Sequence, residues 1–414
     1  MSQPPENTPK TNPGAEHPSV PVTGPLDDGQ YDFYIVVTPG FEILAEKEII
    51  QWARSPAFST LLESEIRREH GGLSVRLPLA MGCELNRVLK IPTRILIRLS
   101  AFGCRDFPKL FKKTAGFNWS DWIVPGVEVD FQASTHKSRL FIKKRIEETC
   151  REGFEKYRKA SGLETQLSAA GRAVQQVLVR VNNDVCTISL DTSGELLHKR
   201  GLKRLSSEAP IRETIAATLL SWMMSDETPA SITLVDPMIG SGTFAMEADH
   251  LGKISAARSF AFESFPIYAS EVPPMISARP LATMFTKFVG LDLDAKAAKT
   301  TKQNWIESGG ESQRLSIEVA DVFDAKPLAI EGERWLITNP PYGERLKIEG
   351  RLKDYYELLF ETCERIAQPD RACFVLPDTA RPAQLRIPSR WKTAGALRFQ
   401  NGGLPVTALL FVND

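Results

Sequence analysis

The sequence predicts an α/β protein: a Rossmann-like doubly wound sheet ending in an antiparallel hairpin, preceded by an α+β region. Three observations predict it. From about residue 195, short apolar strands alternate with helical patterns, as in a parallel sheet with crossover helices. One strand runs through a glycine turn, Asp236-Pro-Met-Ile-Gly-Ser-Gly-Thr243, straight into a helix. The chain closes on Leu397-Arg-Phe399, Asn401-Gly-Gly403 and Val406 to Val412, two strands around a turn.

Residues 1–29 hold seven prolines and few large apolar residues. Such a segment cannot bury enough surface to offset its ordering entropy, so it is expected to be a disordered tail. Residues 30–102 form a first α+β part. Tyr31 to Val37 is a strand that stops at Thr38-Pro-Gly40, and Phe41, Leu44, Ala45, Glu48 and Ile49 follow at helical spacing. Leu73 to Leu77 is a strand, Leu85 to Leu89 begins an amphipathic stretch, and Arg94 to Leu99 alternates as a strand. Residues 103–192 form a second α+β part. It has a strand at Val127 to Ala133, a helix at Leu140 to Tyr157, and strands Val177–Val181 and Val185–Leu190 joined by Asn182-Asn183-Asp184. The Ser/Gly/Ala-rich stretch 160–172 is expected to be a loop. Residues 193–414 carry the doubly wound sheet, with strands at Ile232–Asp236, Phe288–Asp292, Ile317–Asp321, Trp335–Thr338 and Ala372–Leu376.

Fifty-one Lys and Arg against fifty-one Asp and Glu leave no net charge. That excludes a tail-driven polyanion binder, but a neutral chain can still carry one basic face. No window is long and apolar enough to cross a membrane, and the N-terminus has no apolar secretory core. The six cysteines are dispersed, without C-x-x-C, and the five histidines form no H-E-x-x-H. A reduced, cytoplasmic protein without a metal is expected.

In the glycine turn, Gly240 and Gly242 let the backbone approach a ligand closely. Gly240-x-Gly242-x-x-Ala245 fits a dinucleotide fingerprint in form. The acid that should follow about 20 residues later is missing, however, because the next strand-ending acid is Asp292. The stretch between, 259–285, is rich in Phe, Ser and Pro and looks inserted. A P-loop is excluded, since no G-x-x-x-x-G-K occurs. Asp236 suits a ligand bearing a sulfonium or an amino group better than a pyrophosphate. Asp236, Asp292 and Asp321 end three successive strands, where an open α/β sheet binds its ligand. An acid on the second strand can hold ribose hydroxyls, and one on the third can accept from an adenine amine. Each alone could be a turn-forming Asp; together they favour an adenosyl ligand.

After the fourth strand comes Thr338-Asn-Pro-Pro-Tyr-Gly-Glu-Arg-Leu346. The prolines fix the backbone and remove two donors, so the carbonyls of Asn339 and Pro340, with the Asn339 side chain, can act as acceptors. Such a corner suits an exocyclic amine, and Tyr342 offers a flat face on which a base can stack, worth about 1–3 kcal/mol.

These motifs, D-P-x-x-G-S-G, then G-x-D-x-D at Gly290–Asp294, then N-P-P-Y-G-E-R-L, resemble the S-adenosylmethionine-dependent RNA guanine-N2 methyltransferases with a THUMP domain. Leu190 to Gly201 and Glu208 to Glu213 resemble the family's segment between THUMP and catalytic domains, and Thr38-Pro-Gly-Phe-Glu42 its N-terminal turn. Leu202 departs from the pattern, where the family often has an aromatic. The resemblance runs from about residue 31 to the end and is nearest to the bacterial 23S rRNA enzymes. It implies a ferredoxin-like 30–102, a THUMP domain at 103–192 and a methyltransferase domain at 193–414. It implies that Asp236, Gly240 and Gly242 line the methionine part of S-adenosylmethionine, with Pro237, Ser241 and Thr243 in the same turn. Asp292 would hold the ribose, and Asp321, with Val322, the adenine. Asn339, Pro340 and Tyr342 would hold a flipped guanine, Asn339 also bordering the cofactor.

RNA is the expected partner. Eight basic residues lie between Arg87 and Lys113, with Phe107, Phe111, Phe117, Trp119 and Trp122 among or beside them. Further clusters occupy the 137–159 helix and His198-Lys-Arg200 with Lys203 and Arg204. Arg94, Arg105, Lys112, Lys113, Lys143, Lys144, Lys199 and Arg200 are the candidate RNA contacts. The expected substrate is large-subunit rRNA or its assembly intermediate. An adenine-N6 or tRNA guanine methyltransferase of the same fold, or a non-catalytic RNA-binding assembly factor, are the alternatives. Oligomeric state is not legible.

Overall fold

In the computed structural model, residues 29–413 are described, apart from 63, 163–173, 202–210, 225–230, 256–257, 272, 274–275, 277–283 and 344–350. The tail 1–28, most of the 160–172 loop, Leu202, Lys203, Arg204 and Glu344 to Leu346 therefore lie outside the described residues.

The N-terminal half is built on one seven-stranded sheet. β1 (Gln30–Val36) lies between β3 (Gly72–Pro78) and β4 (Arg94–Gly103), antiparallel to both, and β2 (Arg67–Glu69) edges β3. Across its other edge β4 pairs with β7 (Val185–Asp191), which pairs with β6 (Val174–Asn182), and β6 runs parallel to β5 (Glu128–His136). Hydrogen bonding thus passes through residue 102 without a break. The β6–β7 turn places Asn183 and Asp184 at φ 49° and 61°, the left-handed pair that a two-residue hairpin needs.

Four helices cover this sheet: α1 (Glu42–Ala53), α2 (Leu79–Val88), α3 (Phe107–Ala115) and α4 (Lys143–Ala160). The amphipathic stretch expected to begin at Leu85 is instead the end of α2. Leu89 turns extended three residues ahead of Pro92, which cannot donate to a continuing helix. α3 was not read from the sequence, although Asp106-Phe-Pro108 signals it. The Asp106 carboxylate accepts from the Lys109 N–H at 2.8 Å, and Pro108 sits in the first turn.

The C-terminal sheet contains β8 (Ile232–Asp236), β9 (Phe285–Asp292), β10 (Leu315–Val319), β11 (Glu333–Thr338), β12 (Arg371–Pro377), β13 (Trp391–Asn401) and β14 (Leu404–Asn413). Their order is β10-β9-β8-β11-β12-β14-β13. The first five are parallel, and β14 inserts antiparallel between β12 and β13. This is a Rossmann-like doubly wound sheet with a terminal hairpin. α5 (Glu213–Met223), α6 (Thr243–His250), α7 (Ala295–Glu307) and α8 (Leu352–Ala367) accompany it. Every residue of β8 is buried, as expected of a parallel strand covered on both faces.

The stretch that looked inserted ties the halves together. Phe260, Phe262 and Phe265 are buried, and the Phe262 N–H donates to the Thr192 carbonyl. Glu263 pairs with Arg87, and the Tyr268 hydroxyl donates to the Glu84 carboxylate at 2.7 Å. Phe41 also packs on Phe399, with ring centroids 5.0 Å apart. Among the described residues, no helix is long and apolar enough to cross a membrane, and no His/Cys/Asp/Glu group could hold a metal ion. All six cysteines are free and buried.

Candidate active site

The strand tips converge because the strands are in register. Asp236 lies opposite Gly290, two residues before Asp292, and Val319, two residues before Asp321, lies opposite Asp292. The glycine turn follows β8. Gly240 and Gly242 take φ 55° and 79°, and a Cβ on Gly242 would meet Thr301 Cγ2 at 2.5 Å. Thr301 Oγ1 donates to the Gly240 carbonyl and Asn304 Nδ2 to the Ser241 carbonyl, so α7 shapes the turn from below. The Gly240 N–H donates to Asp292 Oδ2 at 2.8 Å, and the Asp294 N–H to Asp292 Oδ1 at 2.9 Å. Asp292 therefore braces the turn while keeping lone pairs for further donors.

Asp236 is 4% exposed and accepts from the Met238 N–H at 3.1 Å. Burial pushes its carboxyl up to about 7; the Met238 N–H and the nearby Thr338 hydroxyl oppose the rise, and Asp292 adds to it. Thr338 Oγ1 falls short of a full hydrogen bond, and it and Ser241 Oγ are buried without partners. Among the described residues, no Lys or Arg pairs with Asp236. A buried carboxylate with no cation is costly unless a ligand brings one.

At the third tip, Asp321 Oδ1 accepts from the Phe323 N–H. Val322 is 5% exposed and packs in the core, which leaves only its backbone to face a ligand. Sequence reasoning missed four neighbours. Leu293 is 72% exposed between Asp292 and Asp294, although a lone leucine flanked by acids in G-x-D-x-D was a legible signal. Phe323 packs edge-on against Tyr355, whose hydroxyl lies 3.9 Å from Met238 Sδ.

The fourth tip carries Asn339-Pro-Pro-Tyr342. Pro340 is buried; Asn339 and Tyr342 are half-buried. The Tyr342 hydroxyl donates to Asn339 Oδ1 at 2.5 Å and accepts from Asn401 Nδ2 at 3.1 Å. Tyr356, on α8, donates its hydroxyl to the Pro341 carbonyl at 2.8 Å. Burial pushes the Tyr342 phenol up to about 12, against the opposing pull of Asn401.

A family model of the RMKL-like methyltransferase domain matches residues 200–406. The chain belongs to this family. It is 26% identical over 79% of its length to the ribosomal RNA large subunit methyltransferase K/L of Shewanella sp. strain W3-18-1, covering 46% of that protein. The chain thus spans about half the length of the curated relatives it matches first. It is 24% identical to the Putative RNA methyltransferase slr0064 of Synechocystis sp., over 92% of this chain and 96% of the relative. Among solved structures, SMU.472, "a putative methyltransferase complexed with SAH", superimposes with a TM-score of 0.73 at 22% identity, covering 93% of this chain and 99% of that one; the likeness shows a shared fold. The cofactor is S-adenosylmethionine. The methyltransferase domain fits it: an unpaired buried carboxylate meets a ligand with a sulfonium and an amino group, and two orphaned hydroxyls lie in the same tips.

Two candidate RNA contacts are corrected by the structure. Arg94 donates to Asp191 at 2.8 Å and to Gln176, with its side chain 14% exposed. Arg200 is 4% exposed; it pairs with Glu247 at 3.1 Å and donates to the carbonyls of Leu197 and Lys90. Both guanidiniums are already committed to internal acceptors, leaving neither turned toward a phosphate. Arg105 is exposed but bonded to Asp184, and Lys199 is exposed near Glu195. Lys112, Lys113, Lys143 and Lys144 are exposed. Trp119 and Trp122, read as neighbours of a basic cluster, are core residues.

Proposed function

We propose that this chain methylates RNA, transferring a methyl group from S-adenosylmethionine to the exocyclic N2 amine of a guanosine, with large-subunit rRNA as the substrate. The observation that carries this reading is the Asn339-Pro-Pro-Tyr342 corner standing beside the cofactor turn. S-adenosylmethionine, when bound, supplies an electrophilic methyl group on its sulfonium. Asp236 and the turn Pro237–Thr243 hold the methionine end, Asp292 the ribose, and Asp321 with the Val322 backbone the adenine. Asn339 Oδ1 and the Pro340 carbonyl accept hydrogens of the guanine amine and orient its nitrogen. Tyr342 stacks on the base. The amine is hidden in a stacked or paired guanine, so the base must be flipped out. Positioning supplies most of the acceleration.

RNA is gripped by the N-terminal half, read as a ferredoxin-like 30–102 and a THUMP domain at 103–192, with 193–414 as the catalytic domain. Lys143 and Lys144 stand on the first turn of α4, where the helix dipole disfavours cations and where a phosphate would relieve them. Phe141, beside them, is 70% exposed. Arg145 lies over the Phe107 ring at 4.1 Å and Lys156 over Phe111 at 5.5 Å, joining α3 and α4 into one basic, aromatic face. The homology to RNA methyltransferases supports RNA over DNA.

Incubation with labelled S-adenosylmethionine and in-vitro transcribed large-subunit rRNA, followed by nucleoside mass spectrometry, tests this. N2-methylguanosine is the expected product. N6-methyladenosine, or no RNA methylation, overturns the reading. Asn339→Ala should abolish turnover with cofactor affinity nearly intact, and near-normal methylation by that variant would sink the mechanism.

A further inference from the structure

The corner is tied to a distant part of the chain. Asn401 closes β13 at the hairpin turn, 59 residues beyond Tyr342. Its Nδ2 donates to the Tyr342 hydroxyl oxygen at 3.1 Å, and that hydroxyl donates to Asn339 Oδ1 at 2.5 Å. These bonds have a direction. A phenol has one proton, and a donor on its oxygen leaves that proton to go elsewhere. An amide facing the phenol can present either its oxygen or its NH2, and the proton's position decides which. The Asn401 N–H thus sends the phenol proton toward Asn339, and the proton selects the Asn339 oxygen.

We infer that Asn401 is a positioning residue that sets the amide orientation of Asn339 through Tyr342. The relay runs from the Asn401 N–H, through the Tyr342 O–H, to the Asn339 carbonyl oxygen. The strand that carries Asn401 is itself held, since Phe399, two residues earlier, packs on Phe41 of the N-terminal half. Each bond also lies in partly buried surroundings, where water competes weakly for these groups. Oδ1 of Asn339 keeps its second lone pair for a substrate donor, so the relay orients the acceptor without consuming it. This inference rests on the proposed role of Asn339.

Asn401→Ala removes the donor, and Asn401→Asp replaces it with an acceptor of nearly the same shape. With the introduced carboxylate accepting the phenol proton, the Tyr342 oxygen can only accept from Asn339, which turns the amide around. A packing role would be harmed more by Ala than by the isosteric Asp; the relay predicts the opposite. The full-length chain, assayed with labelled S-adenosylmethionine and in-vitro transcribed large-subunit rRNA, should lose about ten-fold in kcat as N401A, the scale of one net hydrogen bond. N401D should lose about a hundred-fold, the scale of a hydrogen bond to a charged group. Both should keep the wild-type affinity for S-adenosylhomocysteine and the wild-type melting temperature. A second readout needs no substrate. The ring doublet of tyrosine in the Raman spectrum reports whether the phenol donates, accepts or does both. The wild-type minus Y342F difference should show both, and N401A minus N401A/Y342F should show donation alone.

N401D retaining wild-type kcat, or losing less than N401A, while N339A is inactive overturns the relay and leaves the proposed corner standing. N339A remaining active overturns the corner instead. In that case the relay stands or falls on the Raman difference, which an unchanged Tyr342 signal in N401A would refute.

Discussion

The proposed contact of Asp236 with the cofactor would make binding a proton-linked event. The Asp236 carboxyl is raised from 3.8 to about 7, chiefly by burial. The ligand-free protein therefore holds a proton on Asp236 through most of the acidic range. A ligand that brings a cation to this carboxyl binds the ionised form, so binding below pH 7 must release that proton. With a folded value near 7, about half of the protein is competent at pH 7 and about 3% at pH 5.5. Affinity should then fall about fifteen-fold between those pH values, or about 1.6 kcal/mol. The ligand's own amino group stays charged in this window, since α-amino groups titrate at about 7.7–8. Calorimetry with S-adenosylmethionine at pH 5.5–7, in two buffers of different ionisation enthalpy, measures both affinity and proton release. Near one proton should be released at pH 6, and Asp236→Asn should bind weakly with a flat profile. A flat wild-type profile, or no proton released at pH 6, refutes the assignment. Stability carries the same signature with the opposite sense. The folded state keeps a proton that the unfolded chain loses at about 4, so ligand-free stability, relative to D236N, should fall by about 1.4 kcal/mol per unit as pH rises from about 4 to about 7.

Two more outcomes follow from where the charges sit. Arg200→Met leaves Glu247, which is 1% exposed, without its partner and should cost about 3–5 kcal/mol in urea unfolding, largely recovered in R200M/E247L; a loss below about 1 kcal/mol would show the pair to be structurally idle. Lys143→Ala/Lys144→Ala should lower the magnitude of the logarithmic salt slope of RNA binding by about 2, at constant melting temperature, whereas R200M should leave that slope unchanged; equal slopes for the lysine variant and wild type would remove α4 from the RNA face.

What could be read from the sequence was whatever a short window contains. The limits of β8 and the left-handed turn at Asn183-Asp184 follow from local pattern, and so does the glycine turn before α6. The strand ends carrying Asp236, Asp292 and Asn339 were placed correctly because a parallel strand buried on both faces is a compact apolar run with polar residues at its tip. Charge partners were not legible. Arg94 and Arg200 look like any surface cation in a window, and only the fold brings Asp191, 97 residues away, and Glu247, 47 residues away, against them. For the same reason the continuous sheet across residue 102 was missed, since β4 pairs with a strand about 90 residues downstream. Asn401 was legible only as a turn former; its bond to Tyr342 exists because the hairpin returns beside the fourth strand tip.

The neutral charge sum conceals where the cations lie, with a bearing on how a long RNA would be handled. Four arginines are spent on internal acids: Arg200 on Glu247, Arg314 on Asp249, Arg94 on Asp191, Arg98 on Asp32 and Glu69. What remains exposed on α3 and α4 is a local surplus that the sum conceals. Several internal bonds cross between the halves, among them Arg200 with the Lys90 carbonyl, Lys90 with Ser255 and Arg87 with Glu263. Shifting the halves apart would break these bonds and the packing of Phe41 on Phe399. A flexible tether would let the basic face hold RNA at many distances from the corner. A welded interface fixes one distance, so with RNA on the basic face as proposed, the nucleotide that reaches Asn339 would be set by the shape of the RNA between grip and corner. On that account, target choice should follow RNA structure at a distance more than the bases beside the guanine, and moving the target guanine within an otherwise intact RNA fold should cost more activity than changing its immediate neighbours.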